Sequence, residues 1–244
     1  MTTPDDRALV EFADRPGTRG ITISGSFARG ETTEWSDVDV NRYVAGTGVA
    51  AAVPPRWIGG RLVRVSSRTM EEAWSELERR EIAIWAVLPV RGMRILLDRD
   101  GEIARLVKAA RAFRWESVAE RAQVWASRRL AKDAENVLKL RAAIDRADES
   151  SILNAHLNLA QHCADAVAVA RGVLITTENA FHAQVRAAAG AEWTRRQRAA
   201  YALDGGDAVA RARATCELYA CTVDLLELDP EDRAVADRAI SVLA

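Results

Sequence analysis

Two aspartates, Asp37 and Asp39, stand one residue apart in the run Ser36-Asp37-Val38-Asp39-Val40. In an extended run, period-2 alternation sends both carboxylates to one face and Val38 and Val40 to the other. Carboxylates side by side repel, and a cation between them removes that cost. Hard carboxylate oxygens, completed by the phosphates of a nucleotide, suit magnesium. Such a cation would neutralise phosphate charge and orient an attacking hydroxyl in line with the phosphorus. Upstream, Ile21-Thr22-Ile23 leads into Ser24-Gly25-Ser26 and then Phe27-Ala28-Arg29. Glycine lets backbone approach a ligand closely, and free N–H groups at a turn cradle a phosphate. Ser26 adds a hydroxyl, and Arg29 a guanidinium suited to bidentate phosphate contact. Either feature alone is common, as a plain turn or a solvated strand face. Their succession carries the information.

The elements that must position these residues are short and punctuated in the first half of the chain. The pattern predicts a helix from Arg7 to Ala13, then strands over Gly20–Ser24, Asp37–Val44, Arg61–Ser66 and Met93–Leu97. Pro54-Pro55 and Gly59-Gly60 read as a loop before the third strand. Thr69 to Arg80 reads as a helix with Met70, Ala73, Trp74 and Leu77 on one stripe. The second half is rich in Ala, Leu, Arg and Glu, with a single proline. Ser117 and Glu120 have capping-box spacing, predicting a helix to about Ala147. Further helices are expected from Ser150-Ser151 to Gly172, from Thr176-Thr177 to Gly190 and from Trp193 to Leu203. Asp207 is expected to cap a helix to about Leu228, and Asp229-Pro230 to open a last one. Trp193-Thr-Arg-Arg-Gln-Arg198 reads as a solvated face. The fold class is therefore α+β, with an α/β domain over 1–100 and a helical bundle over 101–244.

Composition narrows the partners. The chain has 244 residues, 49% hydrophobic and 28% charged, with a formal net charge of -1. No global positive field is present to hold a long polyanion, so a nucleic acid polymer is not an expected partner. Cys163, Cys216 and Cys221 form no C-x-x-C, and His156, His162 and His182 are scattered. They read as packing residues rather than as a disulfide framework or a zinc site. The acidic start MTTPDDRALVEF lacks the basic and apolar regions of a signal peptide. No run approaches the roughly 18 apolar residues of a membrane span. A cytoplasmic protein with no membrane partner is expected, and a homodimer is compatible with the sequence.

Gly25-Ser-x-Ala-Arg-Gly30, followed by Ser36-Asp37-x-Asp39, resembles the fingerprint of the nucleotidyltransferases related to DNA polymerase beta. The resemblance implies a mixed sheet with flanking helices. It implies transfer of a nucleoside monophosphate from a magnesium-bound triphosphate, ATP foremost, to a hydroxyl, with release of pyrophosphate. It places Ser26 on the triphosphate, with Gly25, Arg29 and Ser36 beside it, and magnesium on Asp37 and Asp39. Members usually carry a third acid on a later strand. Here the outward positions of Arg61–Ser66 are Arg64 and Ser66, and Glu71 and Glu72 fall on the following helix.

The segment Glu135-Asn-Val-Leu-Lys139 is similar to the Glu-x-x-x-Lys segment of the kanamycin-type members, where the acid is the general base. Ala168 to Thr177 resembles their C-terminal helical region. That layout implies Glu135 as catalytic base, Lys139 as a phosphate or tuning group, and an acceptor of the aminoglycoside or lincosamide kind, with antibiotic resistance as the role. Read from spacing alone, Glu135 and Lys139 are an i, i+4 surface pair. Two further readings stand beside this one. One is a catalytically silent nucleotide-binding or regulatory protein. The other is a protein-nucleotidylating enzyme of the antitoxin type.

Overall fold

The computed structural model describes residues 4–46 and 52–243. By its contacts the chain forms two compact units, Met1–Arg114 and Trp115–Ala244.

The first unit is built on a five-stranded mixed sheet. Its strands are β1 (Thr18–Ser24), β2 (Val38–Val44), β3 (Val53–Ile58), β4 (Arg61–Thr69) and β5 (Arg94–Asp98), in the order β3-β4-β2-β1-β5. The β2–β4 pair is parallel and the others are antiparallel. Helix α1 (Asp6–Ala13) is started by Asp5, whose carboxylate accepts the Ala8 N–H at 2.7 Å. It lays Leu9 and Phe12 against Ile21, Ile23, Val38, Val40 and Val63, closing one face of the sheet. This is the face to which alternation sends the valines that flank the aspartates.

Four more helices follow in this unit: α2 (Gly25–Arg29), α3 (Met70–Glu78), α4 (Arg80–Gly92) and α5 (Glu102–Ala112). A reciprocal capping box starts α3: Thr69 Oγ1 accepts the Glu72 N–H at 3.0 Å, and Glu72 accepts the Thr69 N–H at 2.7 Å. Glu72 is thus spent on the helix start. The expected loop at Pro54-Pro55 is instead the edge strand β3. Proline is tolerated there because only one side of the strand must pair. Gly59 and Gly60, at φ +54° and +74°, form the two-residue hairpin turn into β4. Helix α4, which the pattern did not mark, buries Ala83, Ile84, Val87 and Val90. Helix α5 follows residue 100 yet packs on β5, α3 and α4. Arg91 ties its end down, with Nε donating to Ala110 O at 2.7 Å and Nη2 to Phe113 O at 2.8 Å. The contact boundary therefore falls after Arg114, later than the composition shift at 100.

The second unit is helical throughout. A 3-10 turn, Trp115–Ser117, precedes α6 (Ala119–Asp145) and α7 (Glu149–Ala170), and a second, Glu178–Ala180, leads into α8 (Phe181–Ala189), α9 (Ala191–Ala200), α10 (Ala208–Leu225) and α11 (Pro230–Ser241). Asp207 and Asp229 cap α10 and α11 as expected, and Asp148 caps α7. The expected capping box at Ser117 is not formed: Ser117 lies in the 3-10 turn, and α6 begins after Val118 without a side-chain cap. Helix α9 also departs from expectation. Its arginines face ion-pair partners, but Trp193 and Gln197, one turn apart, are both about 1% exposed and point into the bundle. His156 bonds Ile152 O and His162 bonds Asp133, as packing residues do. All three cysteines are free. Among the described residues no helix is long and apolar enough to cross a membrane.

Candidate active site

Ser24, the last residue of β1, is the register partner of Asp39 near the start of β2. The turn after β1 and the acid pair therefore meet at one end of the sheet. Gly25 sits at φ +70°, a left-handed conformation that favours glycine. A Cβ placed on it would lie 3.0 Å from Asp39 Oδ2. The glycine thus serves two purposes: it turns the chain from strand to helix, and it lets the backbone pass against the carboxylate. Ser26 follows, and among the described residues its hydroxyl makes no hydrogen bond. Gly25→Ala combines backbone strain of about 1–2 kcal/mol with pressure on Asp39 Oδ2. On the phosphate-binding role that the sequence resemblance implies for this turn, it should lower nucleotide transfer roughly tenfold or more while melting only a few degrees early. A variant with wild-type rate would show that the approach of Gly25 to Asp39 does not matter.

The loop between α2 and β2 is fixed by its own bonds. Ser36 Oγ accepts the Thr33 N–H at 2.9 Å. Arg61 Nη1 donates to the carbonyls of Thr33 and Ser36, the latter at 3.1 Å. Ser36 therefore shapes the loop that delivers Asp37. Trp35 is left 87% exposed beside the acids. Arg29 donates Nε to Glu31 at 2.6 Å and is thereby held on its own loop.

Asp37 and Asp39 do share a face, and one side chain bridges them. Arg64 donates Nε to Asp37 Oδ2 at 3.0 Å and Nη2 to Asp39 Oδ1 at 2.9 Å. Parallel pairing sets Arg64 directly beside Asp39. The charge of Asp39 first, then its hydrogen bond and the charge of Asp37, raise the Arg64 pKa, so the guanidinium stays charged. The sequence marks Arg64 as outward-facing on an alternating strand but gives no sign that it reaches both acids.

The same face continues along β2. Asn41 Nδ2 donates to Ser24 Oγ at 3.0 Å. A cavity of about 190 Å³ opens there, lined by Ser24, Asn41, Tyr43, Arg68, Trp85 and Met93 among others. Arg68 is ion-paired with Glu76 across it.

Glu135 and Lys139 belong to the second unit. They form an i, i+4 ion pair on α6 at 2.6 Å, with both side chains mostly exposed. The Lys139 hydrogen bond, then its charge, holds the Glu135 carboxyl below its ordinary range. A carboxylate so placed is a weaker proton acceptor than one tuned towards neutrality.

Among the described residues no group of three or more His, Cys, Asp or Glu is gathered to hold a metal. The donor set at the acid pair is two carboxylates. That number fits a single magnesium whose other ligands come from substrate phosphates and water.

No protein-family model matches the chain, and no curated protein matches it. Solved structures do. One is the crystal structure of a nucleotidyltransferase-like protein from Exiguobacterium sibiricum 255-15. It superposes with a TM-score of 0.55, covering 96% of this chain and 76% of that one at 18% sequence identity. The chain therefore has a nucleotidyltransferase-like fold. At this identity the likeness speaks for the fold alone.

Proposed function

We propose that the protein is a magnesium-dependent nucleotidyltransferase that moves a nucleoside monophosphate, AMP foremost, from a nucleoside triphosphate to a hydroxyl of a small molecule. The observation that carries this reading is the packing of the Gly25 turn against Asp39, on the face that Asp39 shares with Asp37. A glycine turn with an available hydroxyl, beside two convergent carboxylates, is suited to a metal-bound polyphosphate.

In this reading Gly25 and Ser26 receive the phosphates through backbone N–H groups and the Ser26 hydroxyl. Arg29 and Lys139 are further phosphate candidates, and Ser36 holds the loop. Asp37 and Asp39 hold magnesium, which when bound neutralises phosphate charge and aligns the reacting oxygens. The acceptor oxygen attacks the α-phosphorus, the bond to the bridging oxygen breaks, and pyrophosphate leaves. The acceptor proton goes to a carboxylate, for which the sequence resemblance offers Glu135. On that assignment Glu135→Gln slows transfer about a hundredfold without changing nucleotide affinity. An unchanged rate would leave Glu135 as the surface partner of Lys139.

An acceptor of the aminoglycoside or lincosamide kind rests on the resemblance around Glu135–Lys139 and Ala168–Thr177. The test is a mass-spectrometric assay with magnesium, each of the four ribonucleoside triphosphates and a panel of both drug classes. An adduct of nucleotide mass that is lost in Asp39→Asn supports the reading. Arg64, standing where a third acid would serve, favours a second reading: a catalytically silent nucleotide-binding protein. Nucleotide binding by calorimetry, with no adduct on any acceptor, would select it.

A further inference from the structure

Arg64 uses its planar fork to span both members of the acid pair, at 3.0 Å to Asp37 and 2.9 Å to Asp39. Its place is set by strand pairing. Val63 pairs with Val38 and Arg64 with Asp39, while Val63 is fully buried in the core beneath. The side chain itself is 57% exposed, so its guanidinium can leave without disturbing that core. Nη1 has no hydrogen-bond partner among the described residues.

The charges decide what such a group does. Two carboxylates and one guanidinium sum to a single negative charge. A free divalent cation must either displace the guanidinium or sit beside it, and both oppose binding. A triphosphate meets the opposite situation. The bare acid pair would repel it, whereas the guanidinium cancels half of that repulsion and matches phosphate geometry.

We propose that Arg64 is a counter-cation that guards the acid pair: it occupies Asp37 and Asp39 until phosphates draw it away, so that the divalent ion enters with the nucleotide and not before it. The release by phosphates rests on the nucleotidyltransferase reading; the occupation of the acid pair does not. Metal and nucleotide then bind with positive coupling that runs through one side chain, and the coupling is reciprocal.

The experiment uses Mn2+ as the probe, with free ion measured by electron paramagnetic resonance on the full chain. Arg64→Gln keeps length and hydrogen bonding but removes the charge, and Arg64→Lys keeps the charge. Circular dichroism melts confirm that both fold. Without nucleotide, Arg64→Gln should bind Mn2+ about tenfold tighter than wild type, and Arg64→Lys should stay near wild type. Adding Asp39→Asn to Arg64→Gln should abolish the gain, which assigns it to the acid pair. By calorimetry in EDTA, Arg64→Gln should bind ATP about tenfold more weakly than wild type. Equal Mn2+ affinity in wild type and Arg64→Gln would overturn the proposal. So would absence of Mn2+ binding in both, since removing Arg64 would then have opened nothing. Tighter Mn2+ binding with no ATP binding by any variant would instead sink the nucleotidyltransferase reading and the release step, leaving the guard on the acids standing.

Discussion

Asp39→Asn is expected to lower nucleotide transfer by about a thousandfold, the scale on which a transition-state charge stabiliser is lost. The substitution is nearly isosteric. It removes the charge that a metal needs and keeps the shape that packs against Gly25. The fold should not suffer, because the carboxylate is partly exposed while register is held by Val38 and Val40 in the core. It also relieves the repulsion between two neighbouring acids. Asp37→Asn should behave alike, since Arg64 treats both carboxylates as one site. The check is the initial rate of adduct formation together with a thermal melt. A variant that keeps more than about a tenth of the wild-type rate with an unchanged melt would remove the acid pair from the reaction.

Trp193→Ala is expected to destabilise the helical unit by about 3–5 kcal/mol, in the range for a large buried aromatic cut to a methyl. Trp193 is 1% exposed. Its indole Nε1 donates to Thr222 Oγ1 at 2.9 Å, and that hydroxyl donates in turn to Leu218 O at 2.7 Å. Truncation leaves a cavity between α9 and α10 and strips the Thr222 oxygen of its donor. Trp193→Phe retains much of the ring but not the N–H, so it should fall between wild type and Trp193→Ala. Urea unfolding followed by circular dichroism measures both. A loss below about 1 kcal/mol for Trp193→Ala would contradict its burial.

Much of the candidate site was legible from local rules. Asp37 and Asp39 fall on one face because strand side chains alternate, and Val38 and Val40 had to take the other. Gly25 announced a turn, which the structure supplies at φ +70°; the close approach expected there was to a ligand, and the neighbour the structure shows is the Asp39 carboxylate. The caps at Asp207 and Asp229 followed from side-chain reach to a helix start. The misreadings share a cause. Pro54-Pro55 signals a loop unless the strand lies at an edge, and edge position belongs to the whole sheet. Ser117 has capping spacing, yet the chain makes a 3-10 turn there instead. Trp193 sits in an arginine-rich stretch, and only the placement of α10 turns it inward.

By itself the sequence determined which residues share a face, where glycine must turn the chain and where most helices begin. Those features depend on neighbours within a few positions, where dihedral limits and hydrogen-bond reach decide. Only the tertiary structure decided that Arg64 spans the acid pair. That contact needs β4 to pair in parallel with β2 rather than antiparallel, and parallel pairing joins residues far apart in the chain. Val38, Val40 and Val63 are buried beneath the sheet, and in this parallel register Arg64 stands beside Asp39 on the opposite face.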